Sequence, residues 1–135
     1  MSAWAKSFIG IPFANKGRDF SGCDCWGLVR LVHAKHASIF LPSYDDDYYS
    51  SAEHLEISAI VAKEAASPLW MTVDQPQALD ILWFRRGRHD AHCGLFLAPG
   101  IMLHMVEEDC SKIERFDGPA WSTKLTGIYR WRGAA

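Results

Sequence analysis

Residues 20–36, FSGCDCWGLVRLVHAKH, place two cysteines one residue apart, Cys23 and Cys25, directly before a segment with helical periodicity. The apolar residues at i+3, i+4 and i+7 from Cys25, which share one helical face, are Leu28, Val29 and Val32. The sequence therefore predicts a helix that begins near Asp24 or Cys25 and ends near His36. Cys25 lies in its first turn, on the apolar face, whereas Cys23 belongs to the preceding loop.

Two further helices are expected, at residues 1–9 and 52–66. The apolar residues with helical spacing in the first are Ala5, Phe8 and Ile9. Ser50 and Glu53 form a capping box at the start of the second, and the dipeptide SP ends it.

Beyond the second of these helices, the chain consists of strand-length segments rich in branched and aromatic residues. These segments are LWMTV, DILWF, HCGLFL, IMLHM, KIERF and GIYRW, and turn sequences such as RRGRHD, APG and DGP separate several of them. Helices followed by strands predict an α+β fold, with N-terminal helices packed on a C-terminal antiparallel β-sheet of about five to six strands.

The composition limits the class of protein. The chain has 135 residues, 49% of them apolar and 22% charged, which is ordinary for a soluble globular protein, and we expect one domain, residues 1–135. The net charge of −2, without a block of like charges, argues against nucleic acid as a partner.

The N-terminal sequence MSAWAKSFIGIPF has no basic region followed by an apolar run and a small-residue cleavage site, so we predict no signal peptide. No apolar stretch approaches the length of a membrane span, so we predict no membrane insertion. We therefore expect synthesis in the cytoplasm, and any role outside the cell requires another route of delivery.

The four cysteines, at positions 23, 25, 93 and 110, do not have the spacing of a metal centre. Paired zinc ligands usually have two or more residues between them, and Cys23 and Cys25 have one. A cytoplasmic chain of this size rarely depends on disulfides. The pattern thus disfavours both a zinc site and a disulfide framework.

The predicted position of Cys25, at a helix N-terminus, affects the ionisation of its thiol. The unpaired N–H groups and partial positive charge at a helix N-terminus favour a thiolate over a thiol. Cys25 is therefore a candidate nucleophile. A small buried residue on the apolar face is the alternative, which the position alone leaves open.

Two histidines lie in neighbouring strand segments that flank the turn APG, His92 in HCGLFL and His104 in IMLHM. With a three-residue loop, Leu97 faces Ile101 and Gly94 faces His104, so that both histidines lie on one face of the hairpin. A two-residue loop would shift the register and place them on opposite faces.

Cys25, His92 and His104 together suggest a nucleophile, a base and an orienting residue. His92 would take the thiol proton, and His104 would hydrogen-bond to the far nitrogen of His92 and set its tautomer. The backbone N–H of Cys25 would meet the oxyanion. His89, in the loop RGRHDAH, is another candidate partner, and a buried histidine pair without a catalytic role is the alternative.

These segments resemble the NlpC-type cysteine peptidases, which are compact papain-like cell-wall hydrolases. DCWGLV is similar to the family's Asp-Cys pair, variable residue, glycine and apolar residues; AHCGLFL resembles its His-x-Gly strand, and IMLHM the strand that carries the orienting residue. Cys93 departs from the branched aliphatic residue that is common after the family's catalytic histidine, and we expect it, like Cys23, to pack in the core.

The resemblance implies a cysteine peptidase with Cys25, His92 and His104 as catalytic residues, acting on peptidoglycan stem peptides through a thioester, with no cofactor and no metal. The candidates for contact with the substrate are Asp24, Trp26, Tyr44 and Tyr48. Packing or loop anchoring is the alternative for the aromatic residues, and helix capping is the alternative for Asp24.

The opening FIGIPFANKGRDFSGCDCWGLVRLV, the segment LPSY and the closing GIYRW look like the branch of the family found in tailed phages and gene-transfer particles. That branch implies tail hub or tip proteins as partners, a place in the virion tail, and action in the periplasm or at the cell wall. The alternatives are a structural tail-tip or hub protein with little or no activity, and acyl transfer on another substrate.

Overall fold

The computed structural model describes residues 3–42, 69–86 and 89–132. The predicted helix 52–66, Tyr44 and Tyr48 lie outside these residues. A 3₁₀ helix, Ala3–Phe8, is followed by a two-stranded ribbon and the helix α1, Cys25–Ala37. The strands are β1 Arg18–Asp19, β2 Gly22–Cys23, β3 Trp70–Thr72, β4 Ile81–Arg86, β5 His89–Ala98, β6 Ile101–Met105, β7 Ser111–Arg115 and β8 Leu125–Trp131.

Helix α1 begins and ends where its capping residues allow. Asp24 precedes it in an extended conformation and its carboxylate accepts a hydrogen bond from the Gly27 N–H at 2.7 Å. Ser38 ends the helix in the left-handed region, at φ 56°. The predicted helix is confirmed at both ends to within about two residues.

The first predicted helix, residues 1–9, is wrong in type, because the segment forms a 3₁₀ helix. Ala5 and Phe8 are buried as expected, but Ile9 is 45% exposed. With three residues per turn, residues three apart share a face, so Ala5 and Phe8 align and Ile9 points elsewhere.

The larger sheet has six antiparallel strands in the order β3-β8-β4-β5-β6-β7 within the described part of the chain. Each of the strand segments expected from the sequence contributes to it. Helix α1 packs against β5 and β6. The α+β fold, with helical structure on an antiparallel sheet of six strands, is thus confirmed.

The β5–β6 hairpin has the predicted register for a different reason. Gly94 pairs with His104 as expected, but Ala98, rather than Leu97, pairs with Ile101. The loop therefore has two residues, and a bulge between Phe96 and Ala98 adds the residue that the shorter loop removes. The bulge keeps both histidines on one face.

The sheet has an apolar core on each face, because successive side chains of a strand point to opposite sides. The core beneath helix α1 includes Leu28, Val29, Val32, Ile81, Cys93, Leu95 and Leu103. A second cluster, on the other face, contains Leu82, Phe84, Phe96, Met102 and Phe116. His92 pairs with Phe84 across β4 and β5, so the two histidines belong to this second face.

Candidate active site

The two strand histidines form a buried, hydrogen-bonded pair. Nε2 of His92 lies 2.9 Å from Nδ1 of His104, and each residue is 1% exposed. Gly94 lies between them on the same face, and a Cβ at this position would lie 3.1 Å from the Cβ of His104. The absence of a side chain at Gly94 therefore gives the two rings room to meet.

A carboxylate on the next strand, β7, hydrogen-bonds to the second histidine of this pair. Nε2 of His104 lies 2.8 Å from Oε1 of Glu114, and the Trp121 indole donates to Oε2 of Glu114 at 2.9 Å. Partial burial acts to raise the pKa of Glu114. The hydrogen bonds from Trp121 and His104, with the nearby positive charges, outweigh it and hold that pKa below its ordinary value.

The Trp121 ring packs against both histidines. It stacks on His92 with ring centroids 5.0 Å apart at an interplanar angle of 21°, and meets His104 edge to face at 5.3 Å. The Phe84 ring also packs against His92, with ring centroids 6.1 Å apart. Apolar rings thus surround a polar chain that runs from His92 to Glu114.

Sequence reasoning did not identify Glu114 or Trp121. The alternation of β7 could have identified Glu114, because Lys112 pairs with His104 and residues two apart on a strand share a face. Trp121 comes from the turn before β8, and no local pattern predicts where such a loop folds.

Cys25 lies in the first turn of helix α1, as predicted, and is partly buried. Its sulfur is within hydrogen-bond reach of the Cys93 thiol, which lies in the core beneath the helix. Burial, followed by this hydrogen bond, raises the pKa of Cys93 well above its ordinary value. Cys93 is therefore a neutral core thiol, as expected, that also touches the candidate nucleophile.

Cys23 is fully buried in β2. Burial, together with the negative charges of Asp24 and Asp19, raises the pKa of its thiol to about 12, although Arg18 opposes this shift. The Cys23 sulfur also lies 3.1 Å from the backbone oxygen of Asp19. The adjacent thiols thus have different environments, and Cys23 packs in the core as expected.

Asp24 is 1% exposed and bonded within the protein. Its carboxylate accepts from the Gly27 N–H, from Nη1 of Arg18 at 2.8 Å and from the Lys16 N–H at 3.2 Å. These contacts fix the start of α1 beside Cys25. A role for Asp24 in substrate binding stays a prediction.

Trp26 is 6% exposed, and its indole donates to the Pro42 carbonyl at 2.8 Å. It stacks with Trp83 at 6.2 Å and 18°. These contacts anchor the segment that follows α1, while contact with a substrate stays a prediction. The side chain of His89 lies outside the described part of the structure.

Over the described ranges, we find no group of three or more histidine, cysteine or acidic residues that could hold a metal ion. None of the helices described there is long and apolar enough to cross a membrane.

A comparison with known protein families shows which family the chain belongs to. A family model described as the NlpC/P60 family matches residues 10–130. The chain belongs to the NlpC/P60 family. The matched residues include Cys25, His92 and His104, and the family expected from the sequence is confirmed.

Solved NlpC/P60 structures share the fold. The NlpC/p60 domain of the peptidoglycan hydrolase SagA has a TM-score of 0.64 at 22% identity, covering 95% of this chain and 93% of that one. A family protein from Bacillus cereus has a TM-score of 0.67 at 20% identity, and the match covers 96% of this chain but 38% of that protein. The peptidoglycan hydrolase RipB from Mycobacterium tuberculosis has a TM-score of 0.56 at 20% identity, and the match covers 93% of this chain and 60% of RipB.

The NlpC/P60 chain described here therefore spans nearly all of the SagA domain and about two-fifths of the Bacillus cereus protein. At these identities, the likeness shows a common fold. No curated protein matches the chain.

Proposed function

We propose that this NlpC/P60 protein is a cysteine peptidase that hydrolyses amide bonds in peptidoglycan stem peptides through a thioester. The observation that carries the proposal is the buried His92–His104 pair on β5 and β6, the strands whose other face packs against helix α1. Cys25, in the first turn of that helix, touches Cys93, the residue that follows His92 on β5. The SagA and RipB structures, both described as peptidoglycan hydrolases, support the substrate class.

The first half of the reaction forms the thioester. Because Nε2 of His92 faces His104, Nδ1 of His92 is the nitrogen that receives the Cys25 proton. The thiolate attacks the amide carbonyl, and the backbone N–H of Cys25 at the helix start stabilises the oxyanion. His92 then gives its proton to the leaving amine as the C–N bond breaks.

The second half of the reaction restores the enzyme. Water attacks the thioester carbonyl while His92 accepts a proton from it. The C–S bond breaks, the carboxylic acid leaves, and His92 returns the proton to the Cys25 sulfur. His104 holds the His92 ring through both halves, and no step requires a metal or an organic cofactor.

Digestion of purified peptidoglycan, with product masses measured, tests the proposal. The wild type should release stem-peptide fragments, and Cys25→Ala should release none. Cys110→Ala is the matched control, because Cys110 is also a partly buried cysteine but lies in the turn between β6 and β7. Equal, zero release from the wild type and Cys25→Ala would refute the peptidase and favour the structural alternative.

We further propose that the chain is a single domain, residues 1–135, carried in the tip of a phage or phage-like tail. The support is the resemblance of its opening segment and of GIYRW, which forms most of β8, to that branch. Tail hub or tip proteins are the expected partners. Mass spectrometry of purified particles should find the protein in intact tails, and its absence from them would remove the tail role while leaving the peptidase.

A further inference from the structure

The chain of contacts from His92 through His104 to Glu114 has a direction, and we infer that Glu114 sets it. The inference goes one step beyond the proposed function: Glu114 is a positioning residue that selects the tautomer in which His92 can act as a base. Its catalytic consequence rests on the proposed function, whereas the tautomer itself does not.

A histidine pair alone has no preferred direction. A neutral imidazole donates from one ring nitrogen and accepts at the other, so His92 and His104 can share one hydrogen bond with either ring as the donor. In one arrangement Nδ1 of His92 has a lone pair, and in the other it carries a proton. Only the first arrangement can take a proton from Cys25.

Glu114 removes this ambiguity because an ionised carboxylate only accepts hydrogen bonds. Its depressed pKa keeps it ionised at neutral pH. Nε2 of His104, 2.8 Å away, must then carry the proton, which makes Nδ1 of His104 an acceptor. That acceptor takes the Nε2 proton of His92, so Nδ1 of His92 is the basic nitrogen.

Trp121 completes the arrangement because an indole N–H only donates. It occupies Oε2 of Glu114 at 2.9 Å, which leaves Oε1 to His104. Glu114 is therefore held between two donors. Its orientation is set although its side chain is 42% exposed.

The surrounding charges leave this assignment in place. Lys112, which pairs with His104 across β6 and β7, forms an ion pair with Asp109 at 2.6 Å. The Lys124 ammonium lies 5.4 Å from the centre of the Trp121 ring. The charge of Lys112 favours the ionised form of Glu114.

The sharpest test is Glu114→Gln, which keeps the shape and adds a donor. Because Trp121 needs an acceptor, the Gln oxygen should turn to the indole and the amide N–H₂ to Nε2 of His104. His104 must then donate from Nδ1, and His92 becomes the Nδ1–H tautomer, which cannot accept the thiol proton. The whole chain of hydrogen bonds should reverse.

The tautomers can be read directly from imidazole nitrogen NMR shifts in a Cys25→Ala background, at a pH where both rings are neutral. We expect Nε2–H for both histidines with Glu114 present, and Nδ1–H for both in Glu114→Gln. Adding Trp121→Phe should restore a fraction of Nε2–H, because the Gln amide can then face His104 with either its oxygen or its N–H₂. Glu108→Gln, on the exposed turn after β6, is the control that should change nothing.

Retention of Nε2–H in Glu114→Gln would overturn the inference. In the Cys25 enzyme, Glu114→Gln should lower kcat by about 10²–10⁴-fold, the range of a general base, with little change in KM. Adding Trp121→Phe should recover part of that loss. Tautomers that respond in a protein that does not cleave peptidoglycan would refute the proposed function alone, whereas cleavage with unresponsive tautomers would refute this inference alone.

Discussion

Replacing Asp24 with alanine should destabilise the protein strongly, because one buried carboxylate holds three donors at the start of helix α1. It accepts from the Gly27 N–H at 2.7 Å, from Arg18 at 2.8 Å and from the Lys16 N–H at 3.2 Å. Asp24 is 1% exposed and the Arg18 side chain 15% exposed. The substitution leaves a largely buried guanidinium without its carboxylate and the helix without its N-cap.

The magnitude follows from these contacts. Breaking a buried ion pair by removing one partner costs about 3–5 kcal/mol, and this includes the roughly 1 kcal/mol of a lost N-cap, because the same carboxylate supplies both. For a chain of this length, that loss lowers Tm by roughly 10–20 °C. Asp24→Asn keeps an acceptor for Gly27 but loses the charge, and should cost about 1–2 kcal/mol.

Urea unfolding followed by tryptophan fluorescence measures these losses, with the m-value checked for constancy between variants. Asp19→Ala is the control, since Asp19 is exposed in the same segment and its carboxylate bonds to Ser21. Its unfolding midpoint should equal that of the wild type within error. A loss below about 1 kcal/mol in Asp24→Ala would refute the reasoning, because an exposed ion pair would then describe the site equally well.

Three further outcomes follow from the structure. Burial lowers the pKa of His33 below its ordinary value of 6.5, so the unfolded chain binds the proton first. The free energy of unfolding should therefore fall as pH drops below about 6.5, by at most about 1.4 kcal/mol per pH unit, until the folded-state pKa is reached. Replacing His33 with Gln should flatten this dependence, and an unchanged slope would contradict it. Iodoacetamide near neutral pH, with modified peptides identified by mass, should label Cys25 well before Cys23, whose pKa of about 12 keeps it a thiol; equal rates would contradict the activated nucleophile. Arg130→Met leaves the buried Asp80 carboxylate without its two bonds of 2.7 Å and should cost about 3 kcal/mol in urea unfolding, more than Asp80→Asn; the reverse order would contradict the account.

The sequence carried most of the information about helix α1 and the sheet, because both are amphipathic over many residues. The period of Cys25, Leu28, Val29 and Val32 predicts the helix and its buried face, as observed. Periodicity does not distinguish an α-helix from a 3₁₀ helix over six residues, which is why the prediction for residues 1–9 was wrong.

The histidine pair shows how a correct result can rest on an incorrect detail. The prediction required a three-residue loop, and the hairpin has a two-residue loop together with a bulge beside Leu97. A third loop residue can be replaced by a bulge while Gly94 stays opposite His104, because the extra residue lies on the turn side of Phe96 in both cases. The register was therefore constrained by the apolar pattern of both strands more than by the turn.

The residues that sequence reasoning missed are those whose role comes from contacts between distant parts of the chain. Glu114 reads as an ordinary charge in KIERF, and Trp121 as a loop aromatic. Their contact, at 2.9 Å, depends on the path of the turn between β7 and β8 and becomes visible once that path is known.

A histidine pair needs an asymmetric neighbour before it can act as a base, since either ring can donate to the other at no cost in hydrogen bonds. The two strands that carry His92 and His104 supply no such neighbour in their own sequence pattern. The next strand, β7, supplies the acceptor Glu114, and the turn that follows β7 supplies the donor Trp121, which orients Glu114. The unit that would prepare His92 as a base therefore extends over β5, β6, β7 and the turn before β8, and Trp121 in that turn both stacks on His92 and orients Glu114.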